Sequence, residues 1–241
     1  MKKSARDCLS LALDNVSSMH ALSSLIHATA PSIGVYKVGL EQFTRFGPPV
    51  LDLVRKANRK IFLDLKFHDI PNTVGRAVQS ACDLEVDYLT IHTMGGIAMM
   101  RAAMEAINSL RRQKSGAPKI IGVTLLTSID IHCLQKELSV TGDPADYVRH
   151  LAILAVQAGL DGIVCSATDL PVVKPMLPKT FEIITPGIRP SGSSVHDQKR
   201  VASPAEAIKK GATLLVLGRA VTEAADPGKV AESIMKEISQ L

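Results

Sequence analysis

The chain has 241 residues, 46% of them apolar but only 3% aromatic, with no Trp and a formal net charge of +5. That length suits one barrel of roughly 250 residues, and a core this poor in aromatics must be built from Val, Ile, Leu, Ala and Met, as parallel sheets under helices are, which disfavours a β-sandwich. No basic stripe interleaved with aromatics points to nucleic acid, no apolar run approaches the roughly 20 residues that span a bilayer, and Cys8, Cys82, Cys133 and Cys165 form no C-x-x-C pair for zinc. A soluble, cytoplasmic protein with reduced thiols is expected, and its positive charge fits an anionic small substrate.

Along the chain, short apolar runs alternate with segments of helical period, the mark of repeated βα units. The first predicted strand is 8–13, with Asp14 directly after it, and the second, 34–38, carries Lys37 inside an apolar run. The third, 60–65, runs into Asp64-Leu65-Lys66-Phe67-His68-Asp69, and a helix over 71–84 follows. A fourth strand, 88–92, ends on His92 and precedes a helix over 96–112. The fifth, 120–126, leads to Thr127 and to a long loop, 128–145, with a short helical piece, then a helix over 147–158. Strands six and seven are 162–165 and 182–185; the loop 188–201, rich in Gly, Ser and Pro, is either an active-site lid or a plain surface loop. A helix over 204–210, the eighth strand 214–217 and a helix over 227–241 complete the count. Pro71 and Pro204 suit a first helical turn, where a missing N–H has no partner to lose. With no low-complexity linker between units, the expected architecture is α/β, a single (β/α)8 TIM barrel domain over 1–241 with parallel strands and outer helices.

Polar and charged groups recur at one end of every predicted strand: Asp14, Lys37, Asp64 and Lys66, His92, Thr127, Ser166, Gly187 with Arg189, and Gly218 with Arg219. In such barrels the C-terminal strand ends form the active-site face. Residues two apart share a strand face, so Asp64 and Lys66 should project together, with Asp69 in the loop beyond. Carboxylate neighbours favour the charged lysine while burial opposes it, and Lys66 is expected to be an ammonium able to donate a proton. Asp64 and Asp69 could instead hold a metal, but intervening lysines already supply the counter-charge, so no metal is expected. Gly218-Arg219 reads as a phosphate grip, with glycine admitting backbone N–H groups and a guanidinium fork beside it; Gly187 and Arg189 hold the matching place after strand seven. His68 and His92 read as structural histidines, and Met94, Met99 and Met100 as packing residues.

Taken in order, LALD (11–14), YKVG (36–39), DLKFHDIPNTV (64–74), HTMGG (92–96), VTLLTS (123–128), TPGIRP (185–190), DQKR (197–200) and VLGRAVT (216–222) closely resemble the orotidine 5′-phosphate decarboxylase family over nearly the whole chain. The resemblance implies conversion of orotidine 5′-monophosphate to uridine 5′-monophosphate and carbon dioxide in pyrimidine nucleotide synthesis, without metal or organic cofactor. It implies that Lys66 protonates C6, that Asp64 lies beside the substrate carboxylate, and that Lys37 and Asp14 hold ribose hydroxyls. It further implies a homodimer in which Asp69, Ile70 and Thr73 come from the other subunit, with Thr127 reading the base and Arg189, Gln198, Gly218 and Arg219 contacting phosphate or lid. Ala220 stands where many relatives carry Pro. Two alternatives remain: a magnesium-dependent sugar-phosphate decarboxylase or synthase of the same superfamily, which would carry an acidic residue where Lys37 stands, and a non-catalytic nucleotide-binding barrel.

Overall fold

In the computed structural model, which describes residues 3–113, 116–189 and 202–241, eight parallel strands pair in chain order and close into a barrel. The strands are β1 (Leu9–Ala12), β2 (Val35–Gly39), β3 (Lys60–Phe67), β4 (Tyr88–His92), β5 (Lys119–Val123), β6 (Gly162–Val164), β7 (Glu182–Ile188) and β8 (Leu214–Leu217). Around them lie α1 (Met19–Thr29), α2 (Leu40–Phe46), α3 (Pro49–Lys56), α4 (Pro71–Cys82), α5 (Gly96–Gln113), α6 (Pro144–Ala158), α7 (Leu170–Val173), α8 (Pro204–Lys209), α9 (Arg219–Thr222) and α10 (Pro227–Ser239). The predicted TIM barrel is therefore present. Among the described residues no helix is long and apolar enough to cross a membrane.

Alternation along each strand sorts side chains into two cores. The barrel interior holds Ala12, Val35, Phe62, Tyr88, Ile121, Ile184, Leu214 and Val216. The larger core lies between strands and helices and includes Leu9, Leu11, Tyr36, Leu63, Leu89 and Ile183. Helix starts are fixed by side chains that accept otherwise orphaned amides: Ser18 caps α1, Asp143 caps α6, Asp226 caps α10, and Ser203 with Glu206 forms a reciprocal capping box on α8.

The N-terminal ends of the strands are tied by a repeated device. Asp87, just before β4, accepts the Ile61 amide of β3 at 2.8 Å. Asp161, just before β6, accepts the Ile120 amide of β5 at 2.7 Å. Thr213, just before β8, accepts the Ile183 amide of β7 at 2.9 Å. In the same floor, the carboxylate of Glu182 takes bonds from Lys119 (2.6 Å), Lys3 (2.7 Å) and the Thr213 hydroxyl (2.7 Å).

Several boundaries differ from the sequence expectation. Strand β5 stops at Val123, three residues before the predicted end; the Thr124 amide makes the last ladder bond, to the Val164 carbonyl, and the Thr124 hydroxyl donates to the same oxygen. Strands β3 and β7 run further than expected, to Phe67 and Ile188, each through a register shift against its neighbour. Helix α6 begins at Pro144, where Asp143 caps it, three residues before the predicted start. The helical piece expected in 128–145 is a single π turn, Cys133–Glu137.

Candidate active site

The C-terminal mouth of the barrel gathers four charged groups from three strands. Lys37 Nζ on β2 lies 2.9 Å from Asp14 Oδ2, just past β1, and 3.3 Å from Asp64 Oδ2 on β3. Lys66 Nζ completes the row at 2.7 Å from the same Asp64 oxygen. The order is carboxylate, ammonium, carboxylate, ammonium. Burial opposes the charge on Lys37, yet Asp64 and Asp14 outweigh it and raise its pKa above the ordinary lysine value. Burial likewise opposes the charge on Asp64, and Lys37 and Lys66 outweigh it, holding the carboxyl below its usual range. Gly39 makes the approach possible: a Cβ there would stand 2.8 Å from Asp14 Oδ1 and 3.0 Å from Lys37 Nζ.

Asp64 and Lys66 meet as predicted, but regular strand alternation does not bring them together. Between the pairs Leu63↔Leu89 and Phe67↔Ile91, the three residues Asp64, Leu65 and Lys66 lie opposite the single residue Thr90. Within this bulge Lys66 has φ +50°, the left-handed region, which costs a non-glycine residue about 1–3 kcal/mol and clusters at functional sites. The Lys66 amide donates to Thr90 Oγ1 at 2.8 Å, and that hydroxyl donates to Asp64 Oδ1 at 3.0 Å. Nothing in the D-x-K spacing signals the bulge, and a threonine in the run YLTIH reads simply as a strand former.

Two cavities open beside the array and share Lys37, Pro186 and Val216. The first, about 390 Å³, is bounded by Asp14, Gly187, Arg189, Gly218 and Arg219. In its wall Gly187 has a φ of +76°, which suits glycine, and the Cα of Gly218 faces open space, where a Cβ would meet nothing within 4 Å. Backbone and two arginines thus surround space suited to an anion. The second, about 160 Å³, is lined by Asp64, Lys66, Thr127 and Ser166 together with apolar groups such as Phe62 and Leu125. Lys66 lines the small, mostly apolar cavity, and Arg189 and Arg219 line the larger one. Ser166 is held by a 2.6 Å bond from its hydroxyl to Asp169, a buried partner that the sequence reading did not single out.

Most predicted site residues therefore converge: Asp14, Lys37, Asp64, Lys66, Thr127, Arg189, Gly218 and Arg219 line one or both cavities. Asp69, Ile70 and Thr73 do not join them. They form part of an exposed rim, with Ile70 66% accessible and Asp69 accepting the amide of the next residue, at 2.6 Å. Gln198 and most of the 188–201 loop lie outside the described residues. His92 is half-buried beside His68, with ring centroids 5.3 Å apart; burial first, then the neighbouring His68 and Lys66, push its pKa down. Met99 and Met100 are fully buried, in keeping with a packing role.

Comparison with known proteins places this geometry among relatives. Residues 7–234 match the model of the orotidine 5′-phosphate decarboxylase / HUMPS family. An orotidine 5′-phosphate decarboxylase of Nitrosococcus oceani is 46% identical over 96% of this chain and 97% of its own length. Another, from Moorella thermoacetica, is 42% identical over 98% of this chain and 94% of its own. Among solved structures, orotidine 5′-phosphate decarboxylase from Lactobacillus acidophilus superposes with a TM-score of 0.82 at 33% identity, covering 95% of this chain and 97% of that one.

Proposed function

The chain belongs to the orotidine 5′-phosphate decarboxylase / HUMPS family, and from that premise we propose that it converts orotidine 5′-monophosphate to uridine 5′-monophosphate and carbon dioxide in pyrimidine synthesis, with Lys66 as proton donor and no cofactor. The observation that carries the reading is the alternating row Asp14, Lys37, Asp64, Lys66, which ends with an ammonium in the wall of a small, mostly apolar cavity.

The chemistry follows from that row. When the bond from C6 to the carboxylate breaks, its electron pair stays on C6 in an orbital the ring cannot delocalise. A charge already in place stabilises this carbanion as it forms, and requires no reorganisation at that moment. Lys66 is fixed by Asp64, which is itself fixed by Lys37 and Thr90. A proton then passes from Lys66 Nζ to C6, and the lysine recovers it from solvent. In this reading Asp64 stands beside the departing carboxylate, while Asp14 and Lys37 take ribose hydroxyls.

In this reading the phosphate is bound by Arg189, Gly218 and Arg219, supported by their place in the lining of the larger cavity. Binding energy from that remote group accelerates the reaction only where it is expressed in the transition state. Thr127 reads the pyrimidine edge from the smaller cavity, and Gln198 is given a phosphate or lid contact by the family resemblance alone. Asp69, Ile70 and Thr73 complete the site of a second subunit; their exposure, with 66% of Ile70 accessible, supports a homodimer in which this rim is covered. Each carboxylate of the row already has a lysine at bonding distance, which argues for metal-free chemistry. Lys37 also occupies the end of β2, where the magnesium-dependent sugar-phosphate relatives carry an acidic ligand.

The test is to follow the ultraviolet absorbance of orotidine 5′-monophosphate in excess EDTA, with Lys66→Ala alongside. Rapid substrate loss that disappears in the variant is expected. Absence of turnover in EDTA, with magnesium-dependent activity on a sugar phosphate, would overturn the proposal; tight nucleotide binding without turnover would reduce the protein to a binding barrel.

A further inference from the structure

Thr90 is fully buried on β4 and lines neither cavity, yet both ends of the Asp64–Lys66 pair converge on its hydroxyl. The directions of those bonds are fixed. The Lys66 amide can only donate, so Thr90 Oγ1 accepts it, at 2.8 Å. An ionised Asp64 can only accept, so the single hydroxyl proton goes to Asp64 Oδ1, at 3.0 Å. Asp64 then has one oxygen on Thr90 and the other on Lys37 and Lys66.

We propose that Thr90 is the positioning residue of this pair: it holds the left-handed backbone of Lys66 and the carboxylate plane of Asp64 at once, without touching substrate. The proposal rests on Lys66 being the proton donor. Its physical ground is the register break. Three residues of β3 face one of β4, so the sheet ladder offers the Lys66 amide no regular partner, and a side-chain oxygen stands there instead. If that acceptor is removed, an amide is left unsatisfied in a buried place, and Lys66 gains by leaving φ +50° for an extended conformation. An extended residue directs its side chain differently, which would carry the ammonium away from the cavity wall. Threonine also suits the task because its β-branch narrows the choice of χ1 and keeps the hydroxyl aimed.

Thr90→Val keeps the shape and removes both bonds. Its kcat for orotidine 5′-monophosphate should fall about 100-fold, the scale expected when a catalytic group is misplaced by about 1 Å. The dissociation constant for uridine 5′-monophosphate should stay within a few-fold of the parent, because the residues assigned to ribose and phosphate are elsewhere. Thr90→Ser should recover most of the rate. Wild-type kcat in Thr90→Val, a parallel loss of kcat and nucleotide affinity, or a serine variant as impaired as the valine one would each overturn the assignment.

Hydrogen exchange of the unmodified protein gives a second reading that does not depend on the variants folding. The Lys66 amide should be protected, and exchange as fast as at Asp69 would refute the hold. If the wild-type protein fails to turn over orotidine 5′-monophosphate, the proposed reaction falls, while the exchange measurement still judges Thr90.

Discussion

The barrel buries charge at both ends, and the two clusters use the same residue types to opposite effect. At the floor one carboxylate, Glu182, collects Lys3, Lys119 and Thr213, and the two lysine side chains remain 33% and 44% exposed. Burial alone would raise the Glu182 pKa; bonds from Lys119, Lys3 and Thr213 outweigh it and bring it from 4.5 to about 2. Water keeps part of each lysine, so the floor is a closed electrostatic knot. At the mouth, four groups alternate, Lys37 is only 11% exposed, and the last ammonium faces a cavity. The floor spends its cations on its own carboxylate, whereas the mouth leaves one positioned for a guest. In a barrel of this kind the lower end serves stability and the upper end chemistry.

That division predicts opposite outcomes for substitutions at the two ends. The largest effect is expected from Lys66→Ala: a drop in kcat/KM of at least about 10⁴-fold, combining loss of the proposed proton donor with lost charge stabilisation. Its stability should stay within about 1 kcal/mol of the parent, because Asp64 keeps Lys37 and Thr90; unfolding in urea would check this. A variant that loses both rate and fold would erase the contrast between mouth and floor.

The proposed sharing of the rim can be tested by mixing. Lys66→Ala and Asp69→Ala should each be nearly inactive alone. Random pairing of the two in a two-fold dimer should restore roughly a quarter of the wild-type sites. No recovery after confirmed subunit exchange, or full activity in a species that sediments as a monomer, would overturn the proposed sharing of Asp69 between subunits.

Glu182→Gln should behave as the reverse of Lys66→Ala. We expect a loss of about 3 kcal/mol and a melting temperature about 6–12 °C lower, with kcat unchanged. The sign with pH follows from the lowered pKa. The stabilisation by Glu182 is complete above about 4.5, its unfolded value, and disappears as pH falls through about 2. Acid unfolding curves of parent and variant should therefore converge below that range; a constant gap would mean that charge is not what the floor contributes.

Smaller effects should follow from Gly39→Ala and Lys119→Met. The first sets a methyl against the Asp14–Lys37 contact and should lower kcat/KM about 10–100-fold with little change in melting. The second removes one half-exposed partner of Glu182 and should cost about 1 kcal/mol. An equal loss of stability in the two would blur the boundary between the ends.

Much of this could be read along the chain. Eight apolar runs, the polar residue after each, and a lysine inside the second run were enough to place the barrel and most of its mouth, because burial and alternation leave direct marks on local sequence. The overrun predicted for the fifth strand failed for a physical reason: Leu125 packs into the core and, with Leu126, walls a cavity, and neither extends the ladder. Helices α1, α2 and α3 escaped, and so did the floor device of Asp87, Asp161 and Thr213, since an acidic or hydroxyl residue before a strand looks like any turn residue. Thr90 could not be found from its own neighbourhood. Its importance arises from a mismatch between two strands, and a mismatch is a property of the pair.

The register break in β3 also has a bearing on engineering. Deleting one residue between Leu63 and Phe67 would bring the strand closer to an ordinary ladder and would look like an improvement by sheet geometry alone. It would also shift the frame of everything downstream, drawing in the rim that carries Asp69, Ile70 and Thr73 while turning the ammonium of Lys66 elsewhere. In the proposed reading, proton delivery and subunit docking are both geared to one irregularity, and a graft of this lysine onto a regular barrel would have to carry the irregularity with it.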